Sequence, residues 1–331
     1  MNAARLLLTL LALLLTAPAH AVTIDWVTVG DPGNAADDTT YGAVADAFQI
    51  GKYEVTIQQY TDFLNAVAAT DPYSLYNTNM ADNGNVAGIS QSGTSGGFTY
   101  NVIGSGARPI TFVSWFDAAR FANWMQNGQG SGSTETGAYT LVGGQTSGTA
   151  PAKNPGAIFY IPTENQWYKA AYYKGGSTNA GYWDYATQSD SAPGNTIGSG
   201  TNQANYNNGV FSVTQSASYS GSQNYLTDVG GFSGSVSAYG TFDQSGNVVE
   251  WNDLTDAAGL SRGLRGGGWS NDVSLLSSSS RGSNDPPSQE SDFTGFRLAS
   301  PVTVPEPSTW VMGLAGITCA GWGAFRRLKR A

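Results

Sequence analysis

The chain of 331 residues carries 15 basic and 24 acidic side chains, a formal charge of −9, one cysteine and one histidine. An acidic balance of this size repels nucleic acid phosphates and anionic membrane surfaces, so neither is expected as a partner. With Cys319 and His20 as the only such residues, intramolecular disulfides and zinc sites built from several His and Cys ligands are excluded by counting.

The first residues, "MNAARLLLTLLALLLTAPAHA", have the parts of a secretory signal over 1–21. Arg5 gives the positive start, Leu6 to Leu15 an apolar run, and Ala19-His20-Ala21 a small-x-small cleavage site. The mature chain is expected to begin near Val22. One domain is expected over 22–300, because no proline-rich or charged linker divides it and no repeat of fixed period occurs.

Three helices are predicted. In "EVTIQQYTDFLNAV", Thr56 and Gln59 make a capping box, with Val55 and Tyr60 placed as a hydrophobic staple. Ile57, Tyr60, Phe63, Leu64 and Val67 then share a helical face. "PITFVSWFDAARFANWM" starts at a Ser114 cap and aligns Trp115, Ala118, Ala122 and Met125 along one side. "YIPTENQWYKAAYY" repeats the capping logic with Thr163 and Gln166, and points Trp167, Ala170 and Ala171 inward. Long Gly/Ser/Asn-rich stretches near 77–108, 126–158 and 175–240 separate these islands. Tyrosines and tryptophans punctuate them, which predicts ordered loops pinned to a core. Short strand-like runs come late, in "AYGTFDQSGNVVEWNDL", "RGLRGGGWS" and "FTGFRLASPV". Helices early and strands late predict an α+β domain with one small antiparallel sheet.

The C-terminal segment has Pro305-Glu306-Pro307, an apolar run from Ser308 to Phe325, and then Arg326, Arg327, Lys329 and Arg330. As a helix the run would span about 27 Å at 1.5 Å per residue, with the basic end held in the cytoplasm. This arrangement over 301–331 resembles a PEP-CTERM sorting signal. The resemblance implies a Gram-negative bacterium, an exported surface or matrix protein, and an exosortase-type processing protease as partner. Without the two terminal segments, ten bases and 23 acids remain, and no Cys or His. Thiol and imidazole nucleophiles and Ser-His-Asp triads are thereby excluded from the folded part.

Six pieces in order, "YEVTIQQYTDFLN", "PITFVSWFDAARFANWM", "IPTENQWYKAA", "YGTFDQSGNVVEW", "LRGGGWSND" and "TGFRLAS", resemble the formylglycine-generating enzyme and sulfatase-modifying-factor family. The resemblance implies a variant of the C-type lectin fold, with little regular secondary structure and long ordered loops. It also implies two copper-binding cysteines after the Gly-Gly-x-Trp pattern. Here the first of those positions falls on Asn271 and the second within Val273 to Ser277, in a loop shorter than the family's. Neither an amide nor an unactivated hydroxyl replaces a thiolate. Another branch of the family holds iron with three histidines, which this domain lacks. Copper, iron and zinc are therefore not expected.

"DQSGNVVEW" resembles the family's calcium site, with Asp243 and Glu250 as carboxylate ligands and Gly246 and Val248 as carbonyl ligands. A second family calcium site would begin at Ala204-Asn205, but its aspartate position falls near Gly221. Trp251-Asn252-Asp253 echoes a sugar-binding triplet of C-type lectins without the partner triplet those lectins require. The expected function is a non-catalytic module that binds extracellular polysaccharide or a surface protein. The alternatives are a hydrolase using carboxylates near Asp272 and Asp285, and a formylglycine-generating oxidase.

Overall fold

The computed structural model describes residues 21–302. The signal segment and the apolar C-terminal run lie outside the described residues. All three predicted helices form where their caps place them. Thr56 accepts the Gln59 N–H at 3.2 Å while the Gln59 side chain accepts the Thr56 N–H at 2.9 Å, and helix α1 runs Ile57–Val67. Ser114 starts α3, Trp115–Gln126, and its box is closed by Asp117. Thr163 and Gln166 start α4, Glu164–Tyr172. Satisfying otherwise orphaned N–H groups at these ends is what lets short helices hold their boundaries.

Two expectations are corrected. Helix α3 is not one-sided, because every residue from Trp115 to Met125 is buried, including Asp117, Arg120 and Asn123. A helix surrounded on all faces must pair its polar groups internally. Arg120 therefore forks onto Glu135 at 2.7 and 2.9 Å, and Asn123 binds the backbone of the following loop at Thr134 and Tyr139.

The strands are not confined to the second half, nor to one antiparallel sheet. Strand β1, Trp26–Val29, pairs with β2, Phe48–Gly51, and β2 pairs with the last strand, β9, Ala299–Pro301. The stretch near 77–108 contains a short helix α2, Asn79–Asp82, and a hairpin of β3, Ile89–Ser92, with β4, Thr99–Val102. A third sheet has the order β7-β6-β5-β8, from Val249–Asn252 (β5), Arg262–Arg265 (β6), Gly282–Asp285 (β7) and Thr294–Gly295 (β8). Its β5–β8 pair is parallel. "FTGFRLASPV" is thus two strands in two sheets. Phe296, Arg297 and Leu298 between them are fully buried. Loops at 126–158 and 175–240 contain only isolated bridges. They are held by inward aromatics such as Tyr139, whose hydroxyl accepts the Ile161 N–H and bonds to Asp253.

Burial and the Glu290 carboxylate push the Asp117 carboxyl from 3.8 up to about 8. A raised acid stabilises the fold while protonated, and that contribution is lost as pH rises through the folded value. The melting temperature is expected to fall between pH 5 and pH 9, and Asp117→Asn to flatten that fall. A melting temperature that rises over this range, or an unchanged profile in the variant, would contradict it.

Candidate ligand pocket and cation site

In the turn after β6, Gly266-Gly267-Gly268-Trp269, the first two glycines wall one side of a cavity of about 280 Å³. Gly267 has φ +68°, and a Cβ there would lie 2.7 Å from Leu276 Cδ1, so only glycine fits the turn. Leu264, Asn271, Leu275, Arg281, Asp285 and Phe293 are among the lining residues. The Asn271 side chain, at the position where the resemblance places a thiol, accepts the Gly268 N–H at 2.8 Å. Its carbonyl accepts the Asn207 N–H at 2.9 Å. The amide braces the turn. The segment holding the second expected thiol position contains a 3₁₀ helix, Val273–Leu276, capped by Asp272 through the Ser274 N–H at 2.8 Å.

Asp272 and Asp285 do not share the cavity. Asp285 lines it, and partial burial raises its carboxyl. Asp272 is exposed, and its two bonds from Ser274 hold it below the usual carboxylate range. A general acid needs the opposite shift.

Sequence reading missed the cavity's charged wall. Glu164 at the start of α4 accepts from Arg265 Nε at 2.8 Å and from Arg281 Nε and Nη2 at 2.7 Å each. The Tyr41 ring lies 4.8 Å from the Arg265 guanidinium carbon and 5.0 Å from that of Arg281. The four partners come from distant parts of the chain, and no local pattern joins them.

Asp243 and Glu250 interact electrostatically, in a cluster with Glu54 and Arg297. Arg297 forks onto Glu250 with both contacts at 2.6 Å, and the Trp167 indole donates to the same carboxylate at 2.8 Å. Asp243 accepts the Gly230 N–H at 2.6 Å. Glu54 Oε2 is buried without a hydrogen bond, 3.9 Å from Arg297 Nη2. Three carboxylates thus face one guanidinium. Burial raises the Asp243 carboxyl to about 6, and burial together with Asp243 raises that of Glu54 well above its ordinary value. Gly246 has φ +103°, and a Cβ there would meet the Asn205 carbonyl at 2.4 Å. Among the described residues no three His, Cys, Asp or Glu side chains form a metal-holding group, so a cation here would need backbone oxygens as well. The hard oxygens and the surplus of negative charge fit calcium in kind.

The second family site has no carboxylate. Asn205 is buried, and its amide donates to Tyr225 O and Asn247 Oδ1 at 3.0 Å each. Trp251-Asn252-Asp253 is closed to sugars, because all three side chains are fully buried and Asp253 pairs with Arg262 at 2.8 Å.

Asn271→Cys, alone or with Ser274→Cys, is expected to confer no oxidase activity. Ser274 is exposed and the cavity is lined by its neighbour Leu275, so a sulfur at 274 would face solvent. Copper-dependent oxidation of a thiol peptide by the double variant would overturn this.

Residues 303–330 match the PEP-CTERM protein-sorting motif, which implies processing by an exosortase. No curated protein matches the chain. Among solved structures, the crystal structure of CarF is 22% identical with a TM-score of 0.50, covering 85% of this chain and 99% of that one. Treponema denticola variable protein 1 is 19% identical with a TM-score of 0.46, covering 86% and 97%. PvdO from Pseudomonas aeruginosa is 17% identical with a TM-score of 0.43, covering 85% and 93%. CarF supports the fold. Residues 27–302 match the sulfatase-modifying factor enzyme 1-like domain, and the chain belongs to that family.

Proposed function

We propose that this protein is an exported, surface-associated member of the family that has kept the pocket and lost the chemistry. It binds an extracellular polysaccharide or a surface protein in the cavity between Asn271, Arg281 and Asp285. The observation that carries this reading is the Asn271 amide, which stands in the thiol position and is committed to the Gly268 N–H while the cavity beside it stays open. Exosortase handling of the Pro305-Glu306-Pro307 segment would release the domain from the inner membrane of a Gram-negative cell. Extracellular material passed over the immobilised protein is expected to be retained, and less of it by Leu275→Trp, which narrows the cavity. Equal retention by both proteins, or turnover of the retained polymer, would argue against a non-catalytic pocket.

The acidic cluster supports a structural calcium ion held by Asp243, Glu250 and the carbonyls of Gly246 and Val248. Its contribution would be charge: it offsets carboxylates that Arg297 alone leaves in excess. With two charged ligands the affinity falls in the weak extracellular range, on the order of 10⁻⁴ to 10⁻³ M. Calcium at about ten times Kd should add roughly 1.4 kcal/mol, a shift of a few degrees in Tm. Melts with calcium and with chelator should differ for the wild type and coincide for Asp243→Ala. No shift in the wild type, or an equal shift in the variant, rules the site out.

A further inference from the structure

From Ser191 to Thr227 no side chain is charged, although the chain as a whole is acidic. Aromatic rings from this stretch stack on Trp269. Trp269 lies parallel to Tyr225, with centroids 5.0 Å apart at 3°. Tyr225 stacks on Tyr219 at 6.0 Å and 14°. Phe211 packs against Tyr225 at 4.4 Å and Tyr219 at 6.2 Å. The stack runs from the core to the surface, since Trp269 and Tyr225 are buried and Tyr219 is 62% exposed. The Tyr219 hydroxyl bonds to Asn85 Oδ1 at 2.5 Å. The ring is therefore held at its tip and supported on one face while solvent wets the rest.

We propose that Tyr219 is a stacking platform for a sugar ring of a neutral extracellular polysaccharide. Because the ring is already held in one orientation by Tyr225, Phe211 and Asn85, a ligand that stacks on it need not order it first. The C–H face of a pyranose matches one aromatic face. The exposed Ser218, Ser220 and Ser222 beside it offer hydroxyls to the sugar's own. The absence of any cation from Ser191 to Thr227 removes the pairing that a polyuronate or sulfated polymer would need. A protein partner would need a larger apolar centre, and between Val210 and Thr227 Tyr219 is the one large hydrophobic side chain exposed among the described residues. This goes beyond the binding reading above, because it names a ligand class and a surface built from side chains other than those lining the cavity.

The test is affinity electrophoresis of the purified protein in gels containing a soluble neutral glucan, a soluble mannan or alginate. Retardation is expected in a neutral polymer and not in alginate. Tyr219→Ala should weaken it about tenfold; Tyr219→Phe, which keeps the ring and loses the Asn85 bond, should retain most of it. Trp269 emission should respond to the polymer in the wild type and not in Tyr219→Ala. The platform is refuted by no retardation in either neutral polymer, or by equal retardation of Tyr219→Ala and wild type. Binding lost in Leu275→Trp but kept in Tyr219→Ala would place the polymer in the cavity instead. A Tyr219-dependent dimer in sedimentation without polymer would make the exposed ring a self-contact and would also overturn the proposal.

Discussion

The fully buried pair of Glu250 and Arg297 is the constraint on which the rest of the molecule depends. Arg297 sits between β8 and β9, at the point where the chain passes from one sheet to the other. Besides forking onto Glu250 in β5, its guanidinium donates to the carbonyls of Gly51, Lys52 and Phe242. Trp167 of α4 donates to the carboxylate oxygen that also accepts from Arg297 Nε. One side-chain pair therefore joins both larger sheets and a helix. Removing either partner would leave a buried charge uncompensated, at a cost of about 3–5 kcal/mol. Glu54 and Asp243 lie nearby with carboxyls that burial raises despite Arg297, which makes this corner sensitive to protons.

A domain with so little regular structure must satisfy its backbone by other means. Buried amide side chains do much of this. Asn34 bonds to the Gly42 carbonyl, Asn123 to the loop after α3, and Asn205 with Asn247 to the segment around Tyr225 and Thr227. An amide offers both donors and an acceptor without a charge to desolvate, so it can bridge irregular segments where a ladder cannot form. The aromatic side chains complete the arrangement by anchoring the same loops. These loops are therefore ordered surfaces, and they are where recognition by this domain is proposed to reside.

On the function proposed above, the cavity is a family scaffold that has outlasted its reaction. Its glycine turn, apolar walls and the Glu164 network with two arginines persist, because they also hold β6, α4 and the 3₁₀ segment together. Asn271, at the position where the resemblance expects a thiol, is part of the same bracing, because its side-chain oxygen accepts the Gly268 N–H.

The caps of α1, α3 and α4 were legible in the sequence because a capping box is a local pattern, four residues long, with one physical meaning. Family membership was legible for a related reason: six short motifs in fixed order leave little freedom. The missing thiols and imidazoles could be read by counting alone. The hairpin at Ile89–Ser92 and Thr99–Val102 was not legible, since its strands are four residues long and two of the eight positions are buried. Nor was the splitting of "FTGFRLASPV" between two sheets, which depends on where Arg297 finds Glu250, 47 residues away. The sequence could name Asp243 and Glu250 through the resemblance of one short segment to the family's calcium site. Only the folded chain decided that Glu54 and Arg297 stand with them, that Arg281 reaches Glu164, and that Tyr219 lies on top of Tyr225 and Trp269. Apart from Tyr219 on Tyr225, those juxtapositions join residues tens to hundreds of positions apart, and long-range contact carries no local periodicity from which it could be read.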